Sequence, residues 1–166
     1  MKRITTLVLA LILVSCGASK STSELPSKKT LKGTWEIYDI DFLGAPGIYK
    51  AFLFDTSDSA CFKGSEWVFI PNNATGRFTT NASNSTCEVS KTRIIWSFLD
   101  ENGTRYLQFK LVDEKNKALA AKNTGYRSKI ESLTESNMSV VVPSIYNGEA
   151  FDVVLKFSKK STDLTL

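Results

Sequence analysis

The spacing of turn residues limits this chain more than any other feature. After Leu31 its aromatic and β-branched stretches are strand-length, alternate apolar with polar, and end in Asn, Gly, Asp or Ser. Alternation with period two suits half-buried strands and is too short-ranged for helices. It predicts strands near 34–42, 65–71, 75–81, 92–99, 104–111, 126–134, 137–143 and 149–157. Pro71-Asn72-Asn73-Ala74-Thr75-Gly76, Asp100-Glu101-Asn102-Gly103 and Asn147-Gly148 are short enough to make hairpins, so each strand pairs with the next. An eight-strand meander removes its two edges by closing. The expected fold is therefore all-β, an eight-stranded antiparallel up-and-down barrel, with a two-sheet β-sandwich as the alternative that composition leaves open.

The same alternation assigns faces. Trp67 and Phe69 share one, as do Trp96 and Phe98, and Phe151, Val153, Leu155 and Phe157, while Asp152 and Lys156 turn to water. Ile94-Ile95 and Val140-Val141-Val142 are apolar on both faces, which predicts an outer cover. Two longer connections interrupt the pattern. Residues 43–64 include Ala51-Phe52-Leu53-Phe54 and are expected to fold a short helix across one end of the barrel; residues 112–125 are weakly helical.

The 166 residues divide into 1–15, 16–30, 31–160 and a tail at 161–166. Met1-Lys2-Arg3 precedes an apolar run too short to span a bilayer, as in a signal peptide. Leu13-Val14-Ser15-Cys16-Gly17 resembles a bacterial lipobox, which implies lipidation of Cys16 and cleavage before it. Several acyl chains, at about 0.8 kcal/mol per buried CH₂, would hold the body on a membrane without a spanning helix. Glycine after Cys16, by resemblance to bacterial lipoproteins, implies the outer membrane of the cell envelope. Residues 17–30 are small and polar and read as a flexible tether.

Losing Lys2 and Arg3 lowers the formal net charge from +4 to +2, and the lysines form no aromatic-interleaved stripe, so no nucleic-acid partner is indicated. The chain has no histidine, which excludes histidine triads, histidine-ligated metals and imidazole switches. With Cys16 lipidated, Cys61 and Cys87 remain, and outside the cytoplasm they should form one disulfide. The enclosed loop, 27 residues counted inclusively, corresponds to roughly 3.5 kcal/mol of chain entropy. No metal or cofactor is implied. The Asn-x-Ser/Thr triplets at Asn73, Asn81, Asn84, Asn102 and Asn137 are ordinary turn composition for a bacterial lipoprotein.

Gly33-Thr34-Trp35 opens the first strand, and later segments include Ala60-Cys61-Phe62-Lys63-Gly64-Ser65-Glu66-Trp67-Val68-Phe69, Asn72-Asn73-Ala74-Thr75-Gly76 and Ile130-Glu131-Ser132-Leu133-Thr134-Glu135-Ser136-Asn137-Met138. Together these resemble the lipocalin-like lipoproteins of Bacteroidetes-type bacteria, within the lipocalin and fatty-acid-binding superfamily. The resemblance runs from about Leu31 to Lys159. It implies a barrel with Trp35 inside near its base, under a cavity for an apolar or amphipathic small molecule. It also implies an arginine of the last strand over that tryptophan, where this chain offers Lys156, Lys159 and Lys160.

The resulting functional expectation is an anchored envelope protein that captures a small hydrophobic ligand. Candidate lining residues are Trp35, Trp67, Phe69, Trp96, Phe98, Tyr106, Tyr126, Phe151 and Phe157. Because these rings are large enough to fill an eight-strand barrel, the alternative is a solid module whose loops at 43–64 and 112–125 meet a protein partner. An enzyme is not expected. Asp39 and Asp41, or Asp55 and Asp58, lack a neighbouring general base, and no serine lies in a Gly-x-Ser-x-Gly setting.

Overall fold

A computed structural model describes residues 27–44, 47, 51–82, 85–119 and 124–164. The leader and Cys16 lie outside the described residues, as does the tether up to residue 26. Residues 28–30, expected to end that tether, instead begin a helical turn, α1 (Lys28–Leu31). Ser27 caps it by accepting from the Thr30 N–H, and Leu31 is fully buried. The apolar side chain at its end gives this short turn a reason to hold, since four residues cannot sustain a helix alone.

Eight strands close into one antiparallel barrel. They are β1 (Gly33–Leu43), β4 (Glu66–Ile70), β5 (Thr75–Thr79), β6 (Lys91–Glu101), β7 (Thr104–Val112), β8 (Tyr126–Leu133), β9 (Asn137–Tyr146) and β10 (Glu149–Ser161). Each pairs with the next, and β1 also pairs with β10. The barrel replaces the sandwich alternative because the first and last strands share one ladder, running from Thr34 opposite Ser161 to Leu43 opposite Asp152. β10 thus extends one residue beyond the expected barrel limit of 160. Two hairpins turn on Asn102-Gly103 and Asn147-Gly148, all four residues at positive φ, as the twist of two-residue hairpins requires.

The connection at 43–64 holds the expected short helix, as a single 3₁₀ turn at Ser59–Phe62, and in addition a two-stranded hairpin that was not expected, β2 (Phe52–Leu53) with β3 (Ser57–Asp58). The second connection holds no helix among its described residues; Ala118 bridges back to Val112. The outer apolar residues are left accessible, with Ile95 exposed and Val141 half-buried. One end of the barrel, the base, carries α1 and the β4–β5, β6–β7 and β8–β9 turns. The mouth carries the hairpin β2–β3, the β5–β6 and β7–β8 connections and the β9–β10 turn.

Candidate functional site

The interior is a column of aromatic rings. Trp35, Trp67, Phe69, Trp96 and Phe157 are almost wholly buried in it. Each indole finds an acceptor: Trp35 Nε1 donates to the Leu31 carbonyl (2.9 Å), Trp67 Nε1 to Ser65 Oγ (3.1 Å) and Trp96 Nε1 to the Thr75 carbonyl (2.8 Å). Trp67 stacks on Phe78 with centroids 4.7 Å apart and meets Phe157 edge-on at 5.8 Å. Trp96 joins Phe69 edge-on at 5.6 Å. Offset and edge-on contacts of this kind add to the gain from area buried.

The base is sealed by a lysine. Lys159 Nζ lies 4.7 Å from the Trp35 ring centroid and donates to the Thr30 carbonyl at 2.8 Å. Burial pushes its pKa below the usual lysine range, opposed by the Glu135 carboxylate 3.9 Å away. The cation that the resemblance gives to an arginine is therefore supplied here by Lys159, whose compact ammonium serves both the ring face and a carbonyl left open at the end of α1. Lys28 adds a second cation 5.9 Å from the Trp96 ring.

At the mouth the plug comes from a connection, not from the wall. Phe54, from the tip of the β2–β3 hairpin, is 5% exposed and sits against Phe109 (4.9 Å), Phe62 (5.5 Å), Tyr126 (5.5 Å) and Trp67 (5.9 Å). The turn closes with the Thr56 N–H donating to the Leu53 carbonyl (3.0 Å), and both central residues, Phe54 and Asp55, are left-handed, at φ +54° and +51°. Such a turn ordinarily takes Asn-Gly; a side-chain-bearing residue there costs roughly 1–2 kcal/mol. A latch holds the tip. The Tyr126 hydroxyl donates to the Asp55 carboxylate at 3.0 Å, and burial together with that carboxylate pushes the phenol's pKa up to about 12.

The other candidate residues lie apart from this tier. Phe151 is buried beside Phe42 at 6.3 Å. Phe98 is half-buried, between Trp96 and the Arg105 guanidinium. Tyr106 alternates with inward Leu107 and so stands on the outer face, where the Arg127 guanidinium covers it at 5.3 Å. Four buried rings were absent from the sequence-based set, besides the half-buried Phe42. Phe78 and Phe109 carried the same period-two signal as the rest, since Gly76 and Leu107 precede them on their faces. Phe54 and Phe62 carried none, because they sit in irregular backbone.

Three concavities, of up to about 980 Å³, are grooves open to solvent on the outer surface, and none of the three is enclosed by the barrel. Among the described residues no cluster of three metal-ligating side chains occurs. Cys61 and Cys87 form a disulfide that ties the 3₁₀ turn to the β5–β6 connection at the mouth.

No family model and no curated protein matches this sequence. Solved structures similar to it include a bovine odorant binding protein with a selenium-containing odorant, at 16% identity and TM-score 0.44, covering 84% of this chain and 76% of that one. A bovine odorant binding protein with its natural ligand gives 16% identity and TM-score 0.44, over 84% and 77%. The closed barrel described above rests on this chain's own strand pairings.

Proposed function

We propose that this protein is an envelope lipoprotein, lipidated on Cys16, whose barrel receives a small apolar ligand at its mouth when Phe54 withdraws. The supporting observation is that Phe54 belongs to a hairpin tip in left-handed backbone, whereas the rings around it belong to, or pack against, the wall. Strain of this kind persists where the surroundings over-determine it and often marks a moving part. Withdrawal leaves a ring-sized seat between Phe62, Trp67, Phe109 and Tyr126, apolar enough to take an apolar guest. The anchor reading is supported by Leu13-Val14-Ser15-Cys16-Gly17 and the polar stretch after it.

The continuous contacts from Phe78 through Trp67 and Phe69 to Trp96 favour a second reading, a solid barrel that works through its loops. Titration with the fluorescent probe N-phenyl-1-naphthylamine separates the two. Capture by the barrel gives saturable one-to-one binding that tightens about tenfold or more in Phe54→Ala, since the plug no longer competes. Absence of binding in both proteins, each cooperatively folded, rejects it. For the anchor, the full-length precursor in a bacterial host should fractionate with membranes and its Cys16→Ala form should not.

A further inference from the structure

We infer that Ser128 supplies the polar contact for that ligand, and that the ligand is a neutral, ring-sized molecule carrying one hydrogen-bond acceptor, such as an aryl or cyclic ketone. The inference rests on the barrel-binding reading above. Ser128 is 1% exposed. Among the described residues its hydroxyl is the buried side-chain polar atom left without a hydrogen-bond partner. Buried polar groups in folded proteins are nearly all paired, so one that is not marks a place for a missing partner.

The register puts this hydroxyl under the plug. Ser128 pairs with Leu107, and Tyr126 with Phe109; Ser128 follows Tyr126, and Leu107 precedes Phe109, on the same face of their antiparallel strands, so both lie on the base side of those rings. Same-face neighbours stand about 6.7 Å apart. Ser128 therefore lies one tier deeper than the Phe109 and Tyr126 rings against which Phe54 rests. A phenylalanine ring in the seat carries no acceptor and leaves the hydroxyl unmatched; a guest ring with a carbonyl at its lower edge would accept from it.

Chemistry narrows the guest further. A ketone uses the one serine proton and brings none of its own, whereas an alcohol and the serine share one hydrogen bond between two protons, which leaves one proton unpaired. Charge is excluded because the carboxylate at the rim, Asp55, is engaged by Tyr126, and the cations that lie against inner rings, Lys159 over Trp35, Lys28 over Trp96 and Arg105 over Phe98, stand toward the opposite end. An ion in the seat would be desolvated without a counter-charge.

Acetophenone and α-methylstyrene, which differ in a C=O against a C=CH₂, test this by displacement of the naphthylamine probe. The preference for acetophenone should fall by about three- to tenfold in Ser128→Ala, the range of one net hydrogen bond, while α-methylstyrene binds both proteins alike. Ser128→Cys, which keeps the side chain's size with a weaker donor, should behave like the alanine form. An unchanged preference, with α-methylstyrene still bound, overturns the role of Ser128 and leaves the barrel reading standing. Failure of wild type and Phe54→Ala alike to bind the probe or either compound overturns both.

Discussion

At the residue scale, the base depends on one side chain. Lys159 is 8% exposed at its side chain, and it serves both the Trp35 ring and the Thr30 carbonyl. Truncation to alanine would empty a site beside an indole and orphan that carbonyl, so Lys159→Ala is expected to lower stability by about 2 kcal/mol. Lys159→Arg, which keeps the charge and can stack on the ring, should stay within about 1 kcal/mol of wild type. Denaturant unfolding near neutral pH checks both. Burial depresses the lysine's pKa, so its charge is carried at a cost in the fold, and wild-type stability should gain as pH rises from the folded value toward 10.5. The gain should be missing from Lys159→Ala. The sequence offered three lysines for this place; alternation puts Lys159 on the face of Phe157, and the register fixes its partner. Lys159 opposes Trp35 across β10 and β1, while Lys156 opposes Asp39.

At the element scale, what was legible was what repeats. Trp67, Phe69, Trp96 and Phe157 lie on faces that alternation alone assigns, and Asn102-Gly103 and Asn147-Gly148 announce their turns because those residues accept positive φ without penalty. The β2–β3 hairpin was not legible. Its turn is built on Phe54-Asp55, a pair with no local preference for left-handed backbone, and it is held in place by packing and by Tyr126. Propensity was overruled there by tertiary contact, and the plug was missed for that reason. Ser128 was missed too, since a small polar residue between Tyr126 and Ile130 reads as ordinary strand composition. The disulfide at 61 and 87 fastens this irregular end, where few ladder bonds do so. A Cys61→Ala/Cys87→Ala double variant is expected to lose about 3 kcal/mol. An unchanged guanidinium midpoint would show that the crosslink does not constrain the unfolded chain.

At the scale of the whole molecule, the barrel closes along the β1–β10 ladder, and charges brace it. The Lys156 ammonium bridges Asp39, at 3.1 Å, and Asp41. Asp41 and Asp39 push the Lys156 pKa up to about 12, and Lys156 in turn holds the Asp39 carboxyl below its usual range. A raised lysine contributes stability that is whole below 10.5 and vanishes as pH climbs through about 12. A lowered aspartate contributes above 3.8 and loses it as pH falls through the folded value. All three groups are only half-buried at the surface, where solvent screens them, so the effects are small. Stability measured against pH should therefore fall less steeply at both extremes in Lys156→Met than in wild type, and equal slopes would show that the bridge contributes nothing.

That ladder joins residues distant in sequence: Asp39 and Lys156, in its middle, are 117 positions from one another. Local hairpins can form while the chain is still being delivered, but the cylinder cannot shut until nearly all of it has arrived. Contacts of such range are slow to form. Until then one side of β1 presents bare amides and carbonyls to any passing strand. A newly made copy would thus be most prone to stick to its siblings in the interval before closure, and a chaperone that shields the first strand would act on that interval.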